Sequence, residues 1–192
     1  MDNKCMVNFE NIREHIIERP DATTCLGTSE DYDSLSIEHK DQIRFLDEEA
    51  SKFLYKYFEV SRFHTGPLWN PFEKKNFKYT EKINVNVESQ TLKKWLFDRS
   101  IAFSKWVYVL PNYTDYPITM TWKMVIKYFD TLFFGDDIII FDESNQWCLT
   151  YWHEDELFFG RINTVDPEIG YKEVEEMNLL EKKYPGYKHP LK

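Results

Sequence analysis

The stretch from Asp136 to Ile162 (DDIIIFDESNQWCLTYWHEDELFFGRI) constrains the fold of this chain more than any other. It reads as three consecutive β-strands. Ile138–Phe141 is a β-branched and aromatic run of strand length. The polar Asp142-Glu143-Ser144-Asn145 can turn the chain. From Trp147 to His153 the side chains alternate. Trp147, Leu149, Tyr151 and His153 share one face, and Cys148, Thr150 and Trp152 share the other. Glu154-Asp155 is read as a two-residue turn, although neither residue is the glycine that a type I′ turn prefers. Glu156–Ile162 is the return strand. Counting from that turn places Trp147 opposite Ile162, Leu149 opposite Gly160, Tyr151 opposite Phe158 and Trp152 opposite Leu157. Both faces carry large apolar groups, so both are expected to be covered.

The rest of the chain supplies helices and two more strands. Asn8 can cap a first helix, with Phe9, Ile12 and Ile16 at helical spacing and Pro20 ending it. A second helix is expected to begin near Ser36 and to carry Ile43, Leu46, Ala50, Phe53, Leu54 and Tyr57 on one stripe. The segment Phe63–Phe72 contains Gly66, Pro67 and Pro71, which exclude regular structure. Its Phe63, Leu68, Trp69 and Phe72 predict a loop lying against the core. Phe77, Tyr79, Ile83, Val85 and Val87 alternate with polar and basic residues, as in a strand buried on one side, with Glu81 marking a bulge or bend. Leu92, Trp95 and Leu96 belong to a short helix after Ser89 or Gln90. Trp106–Leu110 is a strand ended by Pro111, and Asn112–Pro117 a turn. A helix is expected from Thr121, closed by Gly135. A last acidic helix spans 168–183, followed by a tail over 184–192. The expectation is one domain of α+β class. Its antiparallel sheet has about five strands, ends in a three-stranded meander over the core 77–162, and is packed by about five helices, with residues 1–60 mostly helical.

An apolar content of 42% and an aromatic content of 17% argue against disorder. Cys5, Cys25 and Cys148 are odd in number and widely spaced, so neither a disulfide framework nor a zinc site is expected. No apolar run reaches the about 18 residues of a membrane span, and the first residues lack an apolar signal core. A cytoplasmic protein is expected. Its net charge of −9 is unevenly spread. Residues 130–181 hold 14 acidic and 2 basic residues, whereas residues 61–129 hold 5 acidic and 11 basic. An acidic sheet region of this kind cannot neutralise phosphates, so nucleic acid is not an expected partner. It suits a basic protein, or is simply a solvated face.

Chemistry-bearing patterns are sparse. Only His153, of five histidines, lies among acids, and sequential side chains on a tight turn diverge. Asp136 and Asp142 lie about 20 Å apart along an extended strand, too far for one ion. A metal would need Asp142 or Glu143 with partners from elsewhere. A nuclease site would need a lysine beside these acids, and residues 130–160 contain none. There is no phosphate-cradling glycine loop and no nucleophile elbow. No catalytic residue and no cofactor is therefore assigned.

A small acidic α+β protein of this kind resembles the immunity proteins that bacteria pair with secreted toxins. Leu110-Pro111-Asn112-Tyr113, followed by a helix and a meander, is similar to a loop of the SMI1/KNR4-like immunity superfamily. Trp147–Gly160 looks like a hairpin common in bacterial proteins. The resemblance implies an inhibitor that occludes a basic toxin domain. The contact surface expected on this reading is acidic and aromatic: Asp136, Asp137, Asp142, Glu143, Glu154, Asp155 and Glu156, with Trp147, Tyr151 and Trp152. The alternatives are a small metal-dependent enzyme or metal-binding domain using strand-end carboxylates, and an accessory protein whose acid serves solubility.

Overall fold

A computed structural model describes residues 6–21, 23, 25–73, 75–111, 116–163 and 167–184. A 3-10 turn (Ile12–His15) leads into β1 (Ile16–Ile17), followed by α1 (Ser29–Asp33), α2 (Ile37–Lys40), β2 (Ile43–Leu46) and α3 (Glu48–Ser61). Next come β3 (Phe77–Asn84), α4 (Ser89–Phe97), β4 (Trp106–Leu110), β5 (Ile118–Thr121), α5 (Trp122–Lys127) and α6 (Phe129–Leu132). The meander is β6 (Ile138–Phe141), β7 (Trp147–Trp152) and β8 (Glu156–Asn163), and α7 (Pro167–Lys183) follows. The eight strands form one antiparallel sheet in the order β1-β2-β5-β4-β6-β7-β8-β3. The α+β class and the three-stranded meander are as expected, with more strands and helices than the sequence suggested.

Alternation along the strands builds two cores. Val107, Val109, Ile138, Ile140, Leu149, Tyr151, Leu157 and Phe159 face the side covered by α4, α5 and α6. Tyr108, Leu110, Phe141, Cys148 and Phe158 face the other side. There they meet Ala50, Phe53, Leu54 and Tyr57 of α3 and Val174 and Met177 of α7. Both faces are covered because both strand faces are apolar.

Five expectations are corrected. The helix expected from Ser36 through Tyr57 is three elements. Ile43-Arg44-Phe45-Leu46 is strand-forming sequence and pairs with β5, while Asp47 restarts the helix by accepting from Ala50 N at 2.9 Å. The first helix is only a 3-10 turn with a two-residue strand, Ile16–Ile17, pairing Phe45 and Leu46. The helix from Thr121 starts one residue later, after strand β5, and breaks at Tyr128. Gly135 then adopts a φ of 88°, which needs a glycine. β3 is the sheet's edge and is exposed from Lys78 to Lys82. Glu81 pairs regularly with Phe159 instead of forming a bulge.

The hairpin register is the fifth. Trp147 pairs with Arg161, Leu149 with Phe159, Tyr151 with Leu157 and Trp152 with Glu156. The loop is three residues, His153–Asp155, and Asp155 takes a φ of 64°. Aspartate tolerates the left-handed region, which closes a three-residue hairpin. The added residue shifts every pair by one. In the expected register Tyr151 would oppose Phe158, a residue of the other core.

Candidate interaction surface

The hairpin turn and the start of β6 form one end of the sheet. Asp137 accepts from both His153 N (2.8 Å) and His153 Nδ1 (2.9 Å), tying the turn to the neighbouring strand. That hydrogen bond, helped by the fields of Asp137, Glu154 and Asp136, raises the His153 pKa above its ordinary value. Asp155 accepts from Asn86 Nδ2 at 2.7 Å, and Glu156 meets Lys82 Nζ at 3.0 Å. Two acids remain uncommitted. Asp136 is exposed with no cation within 4 Å among the described residues, and Glu154 reaches only the His153 ring at 3.9 Å.

Aromatic rings stand beside these acids. Trp152 is half-buried and lies 6.2 Å from Trp69, which is 61% exposed. The 63–72 loop presents Trp69 because its other aromatics anchor it: Phe63 and Phe72 are buried, and Thr65 N donates to Pro71 O at 2.8 Å. A Cβ at Gly66 would lie 2.1 Å from Asn70 O, so the loop closes only with glycine there. In the same loop burial lowers the His64 pKa against the opposing field of Asp137. On the other flank Phe134 is 83% exposed, two residues ahead of Asp136. A groove of about 810 Å³ runs from there to the N-terminal segment, with Asp21, Asp130 and Asp136 among its carboxylates.

The ten residues expected at a contact surface therefore divide. Asp136, Asp137, Trp152, Glu154, Asp155 and Glu156 gather at the hairpin end. Asp142, Glu143 and Trp147 lie at the opposite end of β6 and β7, and Tyr151 is buried within the sheet. Asp142, only 4% exposed, is a structural acceptor. It takes hydrogen bonds from Trp147 Nε1 (3.1 Å), Ser144 N (2.9 Å) and the Ser144 hydroxyl. Trp147, at 7%, and Tyr151, at 1%, present no side chain to a partner. Linear proximity of acid and aromatic residues concealed this division. Trp69 and Phe134 were not expected at the surface. For Trp69 the signal was present, as an aromatic in a segment broken by glycine and proline.

The fold does bring a lysine to the strand-end acids: Lys105 Nζ lies 3.5 Å from Asp142 and 3.3 Å from Glu143. Burial opposes its charge, but the two carboxylates outweigh burial and raise its pKa, so it stays protonated and cannot act as a base. Among the described residues no group of three or more His, Cys, Asp or Glu could hold a metal ion. Burial pushes the Cys148 thiol up to about 12, which removes it as a nucleophile. Among the described residues no helix is long and apolar enough to cross a membrane.

No family model matches the chain, and neither a curated protein nor a solved structure is significantly similar to it. Of the Leu110–Tyr113 motif, Leu110 ends β4 and Pro111 is buried, while Asn112 and Tyr113 lie outside the described residues.

Proposed function

We propose that this chain is a protein-binding domain that meets a basic protein through the hairpin end of its sheet, in the manner of an immunity or antitoxin-type inhibitor. The observation that carries the reading is Trp69, exposed and set against Trp152 beside the uncommitted carboxylates of Asp136 and Glu154. Tryptophan is over-represented among residues that dominate binding energy, and acids near such an anchor steer a basic partner during encounter. Phe134 and the acidic groove extend the same surface.

The test is association kinetics with the captured partner. Asp136→Lys with Glu154→Lys is expected to slow association and flatten its salt dependence. Trp69→Ala is expected to raise the dissociation rate, weakening Kd about 30-fold for a loss of about 2 kcal/mol. Unchanged kinetics in both variants would remove this surface from the interface.

A further inference from the structure

We infer that a cleft on the α3 side of the sheet binds a small uncharged aromatic amide or lactam. The cleft has a volume of about 480 Å³ and lies between residues 9–16 of the N-terminal segment and strands β2, β4 and β5. Phe9, Ile12, Leu46 and Trp106 give it an apolar lining.

Two hydroxyl side chains, Tyr108 and Thr119, stand at its sheet wall. Strand alternation puts them there. Val107 and Val109 of β4, and Ile118 and Met120 of β5, enter the other core, so Tyr108 and Thr119 turn to this face. They are direct cross-strand partners, which sets their Cβ atoms about 5 Å apart. Phe9 braces the Tyr108 ring at 5.4 Å between centroids. Each of the two residues is 8% exposed, and neither hydroxyl has a hydrogen-bond partner among the described residues. Buried polar side chains nearly always have partners. Two adjacent ones without any, both opening on one cleft, point to a ligand.

Burial, helped by the field of Glu143, raises the Tyr108 pKa well above its ordinary value, so the phenol keeps its proton. A neutral hydroxyl both donates and accepts. The pair therefore matches a group that carries a donor beside an acceptor, as an amide does. The charges around the cleft are of both signs: Arg13, Arg44 and Lys105 with Glu10 and Glu143. Arg44 has Asp41 at 3.6 Å, and Lys105 has Asp142 at 3.5 Å and Glu143 at 3.3 Å. An ion of either sign would meet a like charge there, which favours an uncharged ligand. The volume lies in the range of small-molecule sites, and the rings of Phe9 and Trp106 suit a flat aromatic body. The cleft is separate from the hairpin surface, and the two readings fail independently.

Calorimetry with benzamide and 2-pyridone tests it, with benzoate and benzamidine as anionic and cationic isosteres of benzamide. Saturable one-to-one binding of a neutral ligand is expected at millimolar concentration, about tenfold tighter than either ion. Tyr108→Phe and Thr119→Val each remove one hydroxyl that bonds no described residue. Each is expected to weaken binding about fivefold without lowering the urea midpoint. No saturable binding by either neutral ligand, benzoate or benzamidine binding as tightly, or indifference to both substitutions would each overturn the assignment. A lowered urea midpoint in Tyr108→Phe would show that its hydroxyl is already bonded, and would overturn it as well.

Discussion

Replacing Asp142 separates a structural carboxylate from a contact carboxylate. Its Oδ2 accepts from Trp147 Nε1 inside the core, and its Oδ1 organises the turn through Ser144 N. In Asp142→Ala the indole N–H is left buried without an acceptor, at about 1–3 kcal/mol, and the turn loses a further hydrogen bond of about 1 kcal/mol. The Lys105 contribution is small, because that side chain is 35% exposed and keeps Glu143 at 3.3 Å. A loss of about 3 kcal/mol is expected for Asp142→Ala. Asp142→Asn keeps an acceptor and should lose about 1 kcal/mol. Urea unfolding followed by tryptophan fluorescence measures both, and partner binding by the folded fraction should be unchanged. A loss under about 0.5 kcal/mol for Asp142→Ala, the range of ordinary surface substitutions, would refute the structural role.

Other parts of the structure make separate predictions. Gly160→Ala would put a Cβ 2.4 Å from Phe77 Cδ2, so a loss of about 1–3 kcal/mol is expected in urea unfolding. Asp155→Val forces a β-branched residue into a φ of 64° and should destabilise by about 1–3 kcal/mol, whereas a two-residue turn without that strain would tolerate it. The His153 imidazole should titrate above 6.5 by NMR and return toward that value in Asp137→Asn. Because its folded pKa is raised, the Asp137 contact contributes fully below the unfolded value and is lost as pH rises through the folded one. Cys148 should react with thiol reagents only after unfolding, and a reaction faster than unfolding would contradict its burial.

How much of this was legible in the sequence depended on whether one signal or two competed. Ile138–Phe141 and Trp106–Leu110 were readable because β-branched and aromatic runs bounded by polar or proline residues have few other outcomes. β2 was hidden because Ile43 and Leu46 continue the apolar spacing of α3 across Asp47, so a strand and a helix shared one stripe. β1 and β5, with two and four residues, are too short to show a period. The hairpin register turned on a single backbone choice at Asp155, which composition does not reveal. At the candidate surface, acid and aromatic content drew attention to the region around the turn, where Asp136, Asp137, Glu154, Asp155 and Glu156 lie at one end of the sheet. Burial, which depends on the long-range pairing of β6 with β7, removed Asp142, Trp147 and Tyr151 from it.

The identity of the interaction surface is tested most directly by photo-cross-linking from positions 69 and 154, with position 103 at the opposite end of the sheet as the control. Phe103 is itself 51% exposed, so it samples partners as freely as Trp69 does. The expected result is one basic protein captured from 69 and 154 and absent from 103, with capture falling as salt rises. Capture from 103 alone, or an acidic partner captured at all three positions, would contradict a hairpin-end interface for a basic protein.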